Sequence, residues 1–292
     1  MNKNNTMIPP LFMWAGGKTR MLKKYQPIWP AGDYTSYMEP FLGGASVFSW
    51  VCSNGMNHFE KMIINDLNLE MMSVFNEVKN NPDEFIEKST NTALSFLSIS
   101  VDDKNERKKF YYRLRESYWK NPTTDTLYIL MRLGFNGIWQ TCKDSHGLFG
   151  TPAGLLNQTR LNQIVDKESI MFWHNQLQDT TMYSTDYADI DFEPMNSLIY
   201  LDPPYRGSFT TYGVDFDDDE QRRLCAWSLK QADRGATVLL ANRDNGDGFF
   251  EELLGERAEF HYFDVKYTAG RRKKEKQGYS AKSAREFLAI IH

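Results

Sequence analysis

Short apolar and β-branched runs stand near both ends of the chain. Tyr34 to Met38, Lys61 to Asn65, Ser197 to Leu201, Thr237 to Ala241 and Phe287 to Ile291 each lie between turn-forming residues, the pattern of strands buried on both faces. Several are followed by stretches of helical spacing, and the succession strand, turn, helix predicts a mostly parallel, doubly wound α/β sheet. Functional loops then belong at the strands' C-terminal ends. The middle differs. From about Asn68 to Asn136 the period is helical, with Phe110, Leu114 and Tyr118 four apart, then Leu127, Leu130 and Met131. The stretch GFNGIWQTCKDSHGLFGTPAG, 134–154, mixes glycine and aromatics with neither period and predicts an irregular loop or hairpin, a kind of segment that often carries recognition. The expected organisation is a discontinuous sheet domain, 1–68 and 153–292, interrupted by a helical insertion, 69–152.

Composition supports a folded chain: 292 residues with 41% hydrophobic and 25% charged side chains can build a sizeable core. Cys52, Cys142 and Cys225 are odd in number and widely spaced, so neither a disulfide framework nor a thiolate zinc site is expected. The five histidines are scattered, and no metal is expected. No apolar run approaches the roughly 18 residues of a membrane span, and the first residues lack a signal-peptide pattern. A soluble, cytoplasmic monomer or weak dimer is the expectation.

A net charge of −4 gives no global attraction for a polyanion, so any nucleic-acid contact must be local. From Tyr267 to Arg285 the chain carries seven basic residues against the single acid Glu275. DFDDDE, 215–220, is its opposite, with five acids in six residues. Taken alone, both read as solvated loops.

The sharpest chemical signal is Asp202-Pro203-Pro204-Tyr205, directly after the apolar run SLIYL. An exocyclic purine amine is a poor nucleophile because its lone pair is delocalised into the ring. A carboxylate and a carbonyl accepting its two N–H bonds favour a pyramidal nitrogen that can attack. Asp202 and the Pro203 carbonyl can supply the acceptors, the prolines stiffen the turn, and Tyr205 offers a ring to a base taken out of a duplex. The bland reading is a strand-ending turn with a packing tyrosine. A second signal is EPFLGGAS, 39–46, a glycine turn from strand into helix that lets backbone approach a ligand. Twenty-three residues after Gly43 comes Asp66, placed to accept from ribose hydroxyls. WAGGKT, 14–19, looks like the end of a P-loop, but Phe12 stands where the glycine should be and two prolines precede it, so the resemblance fails.

These pieces in this order resemble the Dam family of DNA adenine-N6 methyltransferases. The motifs that carry the resemblance are MWAGGK (13–18), EPFLGGASVF (39–48), INDLN (64–68), GFNG (134–137), STDYAD (184–189), LDPPY (201–205) and ANRD (241–244), spread over most of the chain. The resemblance implies a Rossmann-like methyltransferase sheet with a helical target-recognition insertion, S-adenosylmethionine as cofactor and double-stranded DNA as partner. It implies catalytic roles for Asp202, Pro203 and Tyr205. The cofactor would lie against Trp14, Ala15, Gly16, Lys18, Glu39, Phe41, Gly43, Asp66, Asp186, Tyr187 and Asp202, with Lys18 toward its carboxylate and Asp186 toward its adenine. DNA would meet Met13, Phe135, Asn136, Ile138, Gln140 and the basic residues Arg271, Arg272, Lys273 and Lys274, with Phe135 wedged into the duplex beside the extruded base. Members that read GATC carry a lysine and an arginine where this chain has Met13 and Gln140. A target other than strict GATC is therefore expected. Two rival readings are a methyltransferase acting on RNA adenine or another amino substrate, and a non-catalytic DNA- or cofactor-binding regulator.

Overall fold

Two-residue alternation decides which core each strand side chain joins. The structure, a computed structural model, describes residues 9–54, 59–207, 216–267, 273–275, 278–280 and 282–292, with backbone only at 54 and between 266 and 282. Among these a seven-stranded sheet runs in the order β3-β2-β1-β4-β5-β9-β6. The chain order is α1 (Leu22–Tyr25), β1 (Ser36–Glu39), α2 (Ser46–Asn54), β2 (Lys61–Asn65), α3 (Leu69–Asn80), α4 (Pro82–Leu97), α5 (Lys104–Lys120), α6 (Thr124–Leu133), α7 (Lys167–Leu177), β3 (Thr180–Tyr183), β4 (Ser197–Leu201), α8 (Asp218–Asp233), β5 (Thr237–Asp244), α9 (Phe249–Leu254), β6 (Ala258–Tyr267), β7 (Lys273–Glu275), β8 (Gly278–Ser280) and β9 (Lys282–Ile291).

Strands β1 to β5 are mutually parallel, and β9 enters antiparallel between β5 and β6. Tyr37, Ile64, Leu198, Tyr200, Leu239 and Leu288 join the core cluster that also holds residues of α2 to α7. Their strand neighbours Met38, Ile63, Ile199, Leu201, Leu240 and Phe287 join a second cluster with α8 and α9. Burial on both faces is why these strands read as continuous apolar runs.

Two strands of this sheet escaped the sequence reading, as did the short hairpin of β7 and β8 inside the basic run read as a loop. β3 lies at the sheet edge with the partly polar TTMY, and β6, AEFHYFDVKY, occupies the other edge. One exposed side dilutes the apolar run that marks a central strand. The predicted helical stretch resolves into α3 to α6. In α5 the buried positions are Arg107, Tyr111 and Tyr118, while Phe110 and Leu114 are only partly covered. The helices start where side-chain caps allow: Asn68 accepts from Met71 N, Asp103 from Glu106 N and Asp166 from Ser169 N. The acidic run has a structural use at its described end. Asp217 caps α8 by accepting from Asp219 N and Glu220 N, and Asp218, Asp219 and Glu220 fill the first turn, where acids complement the helix dipole.

Candidate active site

The strand order reverses between β1 and β4: from β1 the chain leads to β2 and β3 on one side, and from β4 to β5 on the other. A crevice at such a switch point, beyond the strands' C-terminal ends, is where open α/β sheets bind ligands. Glu39 is the last residue of β1 and Asp202 follows the last residue of β4. Lys18, from the segment preceding α1, reaches between them. Its Nζ lies 2.8 Å from Asp202 Oδ2, donates to the Gly16 carbonyl at 3.0 Å and sits 4.7 Å from the centre of the Tyr205 ring. The Lys18 backbone N–H is anchored on Ser46 Oγ at the start of α2.

Acids outnumber bases in this crevice. Glu39 is buried and accepts from Tyr37 OH at 2.7 Å. Burial pushes its carboxyl well above the ordinary carboxylate range, and the neighbouring Asp202 charge adds to that. Burial also raises Asp202, although the Lys18 ammonium beside it pulls the other way. A third carboxylate, Glu286 of β9, is buried and accepts from Tyr205 OH at 3.3 Å. The sequence reading passed over Glu286. The available signal was an acid at the entrance of the otherwise apolar run EFLAII.

Asp66 stands one residue past β2. Its two carboxylate oxygens accept from Gly43 N and Asn68 N, each at 2.9 Å, and burial raises its carboxyl. Each oxygen retains a second lone pair. The adjacent Asn65 ties three segments together, donating to the Pro40 and Thr185 carbonyls and accepting from Thr185 N.

Two expectations meet a different local arrangement. The space above the glycine pair is filled by Trp14: a Cβ at Gly44 would lie 2.4 Å from the Trp14 Cβ, and one at Gly43 2.9 Å from its indole nitrogen. Here the glycines admit a tryptophan. Asp186 carries Arg223, accepting from its two terminal nitrogens at 2.7 and 2.9 Å, and also accepts from Ala188 N. That pair draws the Asp186 carboxyl below its usual range. Tyr187 is buried, with its ring 5.4 Å from those of both Phe41 and Trp227.

The segment predicted to read DNA folds into a closed loop. Phe135 N donates to the Pro152 carbonyl, Gly154 N to Leu133 and Gly150 N to Gln140. Phe135, at the closed base of the loop, is 42% exposed, and Asn136 beside it adopts the left-handed φ of 53° that asparagine tolerates better than most residues. Ala15 N donates to the Gly137 carbonyl at 2.8 Å, and a Cβ at Gly137 would come within 2.7 Å of the Met13 backbone. The segments holding Met13 to Gly16 and Phe135 to Gln140 are thus brought together from distant parts of the chain. Met13 is 53% exposed, while Ile138 and Gln140 are half-buried. Of the basic cluster, Arg271 and Arg272 lie outside the described residues, and Lys273 and Lys274 belong to the small hairpin of β7 and β8.

Helix α5 supplies positive charge that the sequence reading missed, with seven basic residues against two acids. Lys104, Lys108, Lys109, Arg113 and Lys120 are exposed. The same helix holds the end of the Phe135 loop: Tyr111 OH and Arg115 donate to the Thr151 carbonyl, and Trp119 Nε1 to that of Phe149. Buried Arg107 donates to the Ile99, Leu156 and Gln158 carbonyls. The signal was available in the local charge count, which the chain's acidic total concealed. Among the described residues no cluster of His, Cys, Asp and Glu could hold a metal ion, and no helix is long and apolar enough to cross a membrane.

Comparison with known proteins gives a consistent family. Residues 14–271 match the family model described as D12 class N6 adenine-specific DNA methyltransferase. The Type II methyltransferase M.MjaIII of Methanocaldococcus jannaschii is 30% identical over 283 residues, covering 91% of this chain and 92% of that protein. The Type II methyltransferase M.CviBI of Paramecium bursaria Chlorella virus NC1A is 29% identical, covering 86% of this chain and 91% of that one. The DNA adenine methylase of Escherichia coli K12 is 26% identical, covering 99% of this chain and 96% of its own.

Proposed function

The chain belongs to the D12 class of N6 adenine-specific DNA methyltransferases, and from that premise we propose that it moves a methyl group from S-adenosylmethionine to the N6 amine of an adenine turned out of double-stranded DNA. The observation that carries this reading is the partly covered Asp202 carboxylate at the switch point, flanked by Tyr205 and by the buried second acid Glu39.

The donor set suits that cofactor. Glu39 and Asp202 lie near one lysine and Glu286 near Asp202, and such an excess of largely covered acids favours a cationic ligand. The cofactor supplies an already activated methyl group on a positively charged sulfur. Trp14, Ala15, Gly16, Lys18, Phe41 and Gly43 would line its pocket, Asp66 would accept from ribose hydroxyls through its spare lone pairs, and Tyr187 would border its base. For Asp186 to take an amino group it would have to share or release Arg223.

Asp202 and the Pro203 carbonyl accept the two N–H bonds of the target amine and so direct its lone pair, while Tyr205 offers its ring to the extruded base. Catalysis then rests on positioning and on acceptors fixed in advance. The segment 69–152 acts as the recognition insertion. Phe135 wedges into the duplex with Asn136 beside it, the exposed bases of α5 grip flanking phosphates, and Met13, Ile138 and Gln140 face the base edges. Since neither Met13 nor Gln140 can replace a lysine or arginine on guanine, each forgoes about 1–3 kcal/mol of discrimination, which supports a target other than strict GATC.

The test is incubation of the purified protein and S-adenosylmethionine with unmethylated DNA, followed by mapping of N6-methyladenine at base resolution. A defined adenine motif is expected from the wild type and none from Asp202→Asn. Wild type and variant alike leaving adenine unmodified would overturn the reading.

A further inference from the structure

Two uncharged side chains hold the turn that carries Asp202 and Tyr205. Gln221 of α8 and Asn242 of β5 are fully buried. Gln221 Nε2 donates to the Pro204 carbonyl at 2.9 Å, and Asn242 Nδ2 donates to Gln221 Oε1 at 3.0 Å. Asn242 Oδ1 in turn accepts from Arg206 N at 3.0 Å and from Arg243 N at 2.8 Å. The pair therefore grips the peptide groups on both sides of Tyr205.

Each bond in this chain fixes the direction of the next. The Pro204 carbonyl can only accept, so Gln221 must turn its nitrogen toward it and its oxygen toward Asn242. Asn242 must then present nitrogen to Gln221, leaving its oxygen for the two backbone N–H groups. No alternative orientation of either amide satisfies all the partners. A buried network satisfied in only one way defines a single geometry.

The grip comes from the far side of the sheet. Position 242 alternates with Ala241, so it shares the face of Val238 and Leu240, against α8, whereas Glu39 and Glu286 share the face of Tyr37 and Leu288. Neither amide is among the partners of Lys18, Glu39 or Glu286 in the crevice. Arg206 adds a brace on the same turn, bonding Asp218 at the start of α8 at 2.7 Å, pairing with Asp247 and lying over the Phe249 ring.

The geometry points to Gln221 and Asn242 as positioning residues that set the Tyr205 ring and the Asp202 carboxylate for methyl transfer while touching neither substrate nor cofactor. The inference rests on the functional reading above and adds two residues to it. A displacement of about 1 Å at a reacting centre can lower a rate about 10²-fold, so loss of the grip should appear in the chemical step.

The near-isosteric variants Asn242→Asp and Gln221→Glu test this from both elements. Each places a carboxylate oxygen where a donor stood, facing Gln221 Oε1 in one case and the Pro204 carbonyl in the other. The single-turnover rate at mildly alkaline pH should fall about 10- to 100-fold, with the dissociation constants for S-adenosylmethionine and DNA within about threefold of wild type. Lowering the pH should restore the ratio of variant to wild-type rate, because a protonated carboxyl again offers one donor and one acceptor, and burial favours that form. Fluorescence of 2-aminopurine at the target base should change at alkaline pH and revert with the rate. Variants at the wild-type rate overturn the inference. So do variants in which rate, both affinities and melting temperature fall together with no recovery at lower pH, since that is the behaviour of a fold defect. A wild type that methylates no adenine under these conditions sinks the functional reading, and this inference with it; an active wild type beside unaffected variants sinks the inference alone.

Discussion

Lys18 Nζ and Asp202 Oδ2 are 2.8 Å apart, and both belong to largely covered side chains. The ammonium is bonded to the oxygen set that is proposed to receive the target amine. Removing one member of such a pair leaves the other charge buried and unpaired. Lys18→Met should therefore push Asp202 further above its already raised position. The carboxylate is the competent form, so wild-type rate falls as pH drops through the Asp202 pKa, and in Lys18→Met that loss should begin at a higher pH. Single-turnover rates across pH decide it, and coincident acid limbs for the two proteins count against a coupled pair.

Asp202→Asn keeps the shape of the side chain and reverses one of its two hydrogen-bonding ends. Loss of one fixed electrostatic partner at a reacting centre costs about 10²–10³ in rate. The variant should still retain DNA in a gel-shift or anisotropy assay, because the Phe135 loop and α5 lie on other elements. Equal loss of DNA binding and rate would mean that Asp202 supports the fold more than the chemistry.

Glu39 provides a stability test with a definite sign. Its folded pKa is raised by burial, so the folded protein holds the proton more tightly than the unfolded chain. The resulting stabilisation is complete below the ordinary carboxylate pKa and is lost as pH rises through the raised value. Glu39→Gln can still accept from Tyr37 OH and has no proton to lose. Its melting temperature should exceed that of the wild type at about pH 8, with the gap closing toward about pH 4.5. Thermal unfolding of both proteins at the two pH values is the measurement, and a gap that widens on acidification would contradict the assignment.

Phe135 is exposed and sits on a loop closed by backbone bonds, so Phe135→Ala should leave the melting temperature unchanged. Loss of a stacking ring is worth about 1–3 kcal/mol per base. Affinity for target DNA should fall accordingly, and 2-aminopurine at the target position should report less base extrusion. An unaltered fluorescence signal would assign the wedge to another side chain.

The exposed bases of α5 predict a salt effect. Each phosphate that a basic side chain neutralises contributes about −0.9 to the slope of log affinity against log salt. Replacing Lys104, Lys108 and Lys120 together by glutamine should flatten that slope by about one unit for every phosphate left without its lysine, and should weaken all sequences alike. Lys109 and Arg113 are better left in place, since both pair with Glu106. A slope equal to wild type would place the duplex elsewhere.

Much of this protein could be read along the chain. The central strands announced themselves because burial on both faces demands unbroken apolar runs, and Asp202, Glu39 and Asp66 could be found because each ends or follows such a strand. The edge strands β3 and β6 stayed hidden because a half-exposed strand relaxes that demand. What the sequence could not state is which distant groups meet. Lys18 and Asp202 are far apart in the chain, as are Gly44 and Trp14, Glu286 and Tyr205, and Gln221 and Asn242. A lysine in WAGGK or an asparagine in ANRD has the same local appearance whether it faces solvent, a ligand or a buried acid. Short-range pattern records periodicity and turn chemistry, which depend on neighbouring residues. Pairing, burial and pKa depend on the separations that only the closed sheet establishes, and so the tertiary structure alone decided that Lys18 lies on Asp202 and that two buried amides hold the turn around Tyr205.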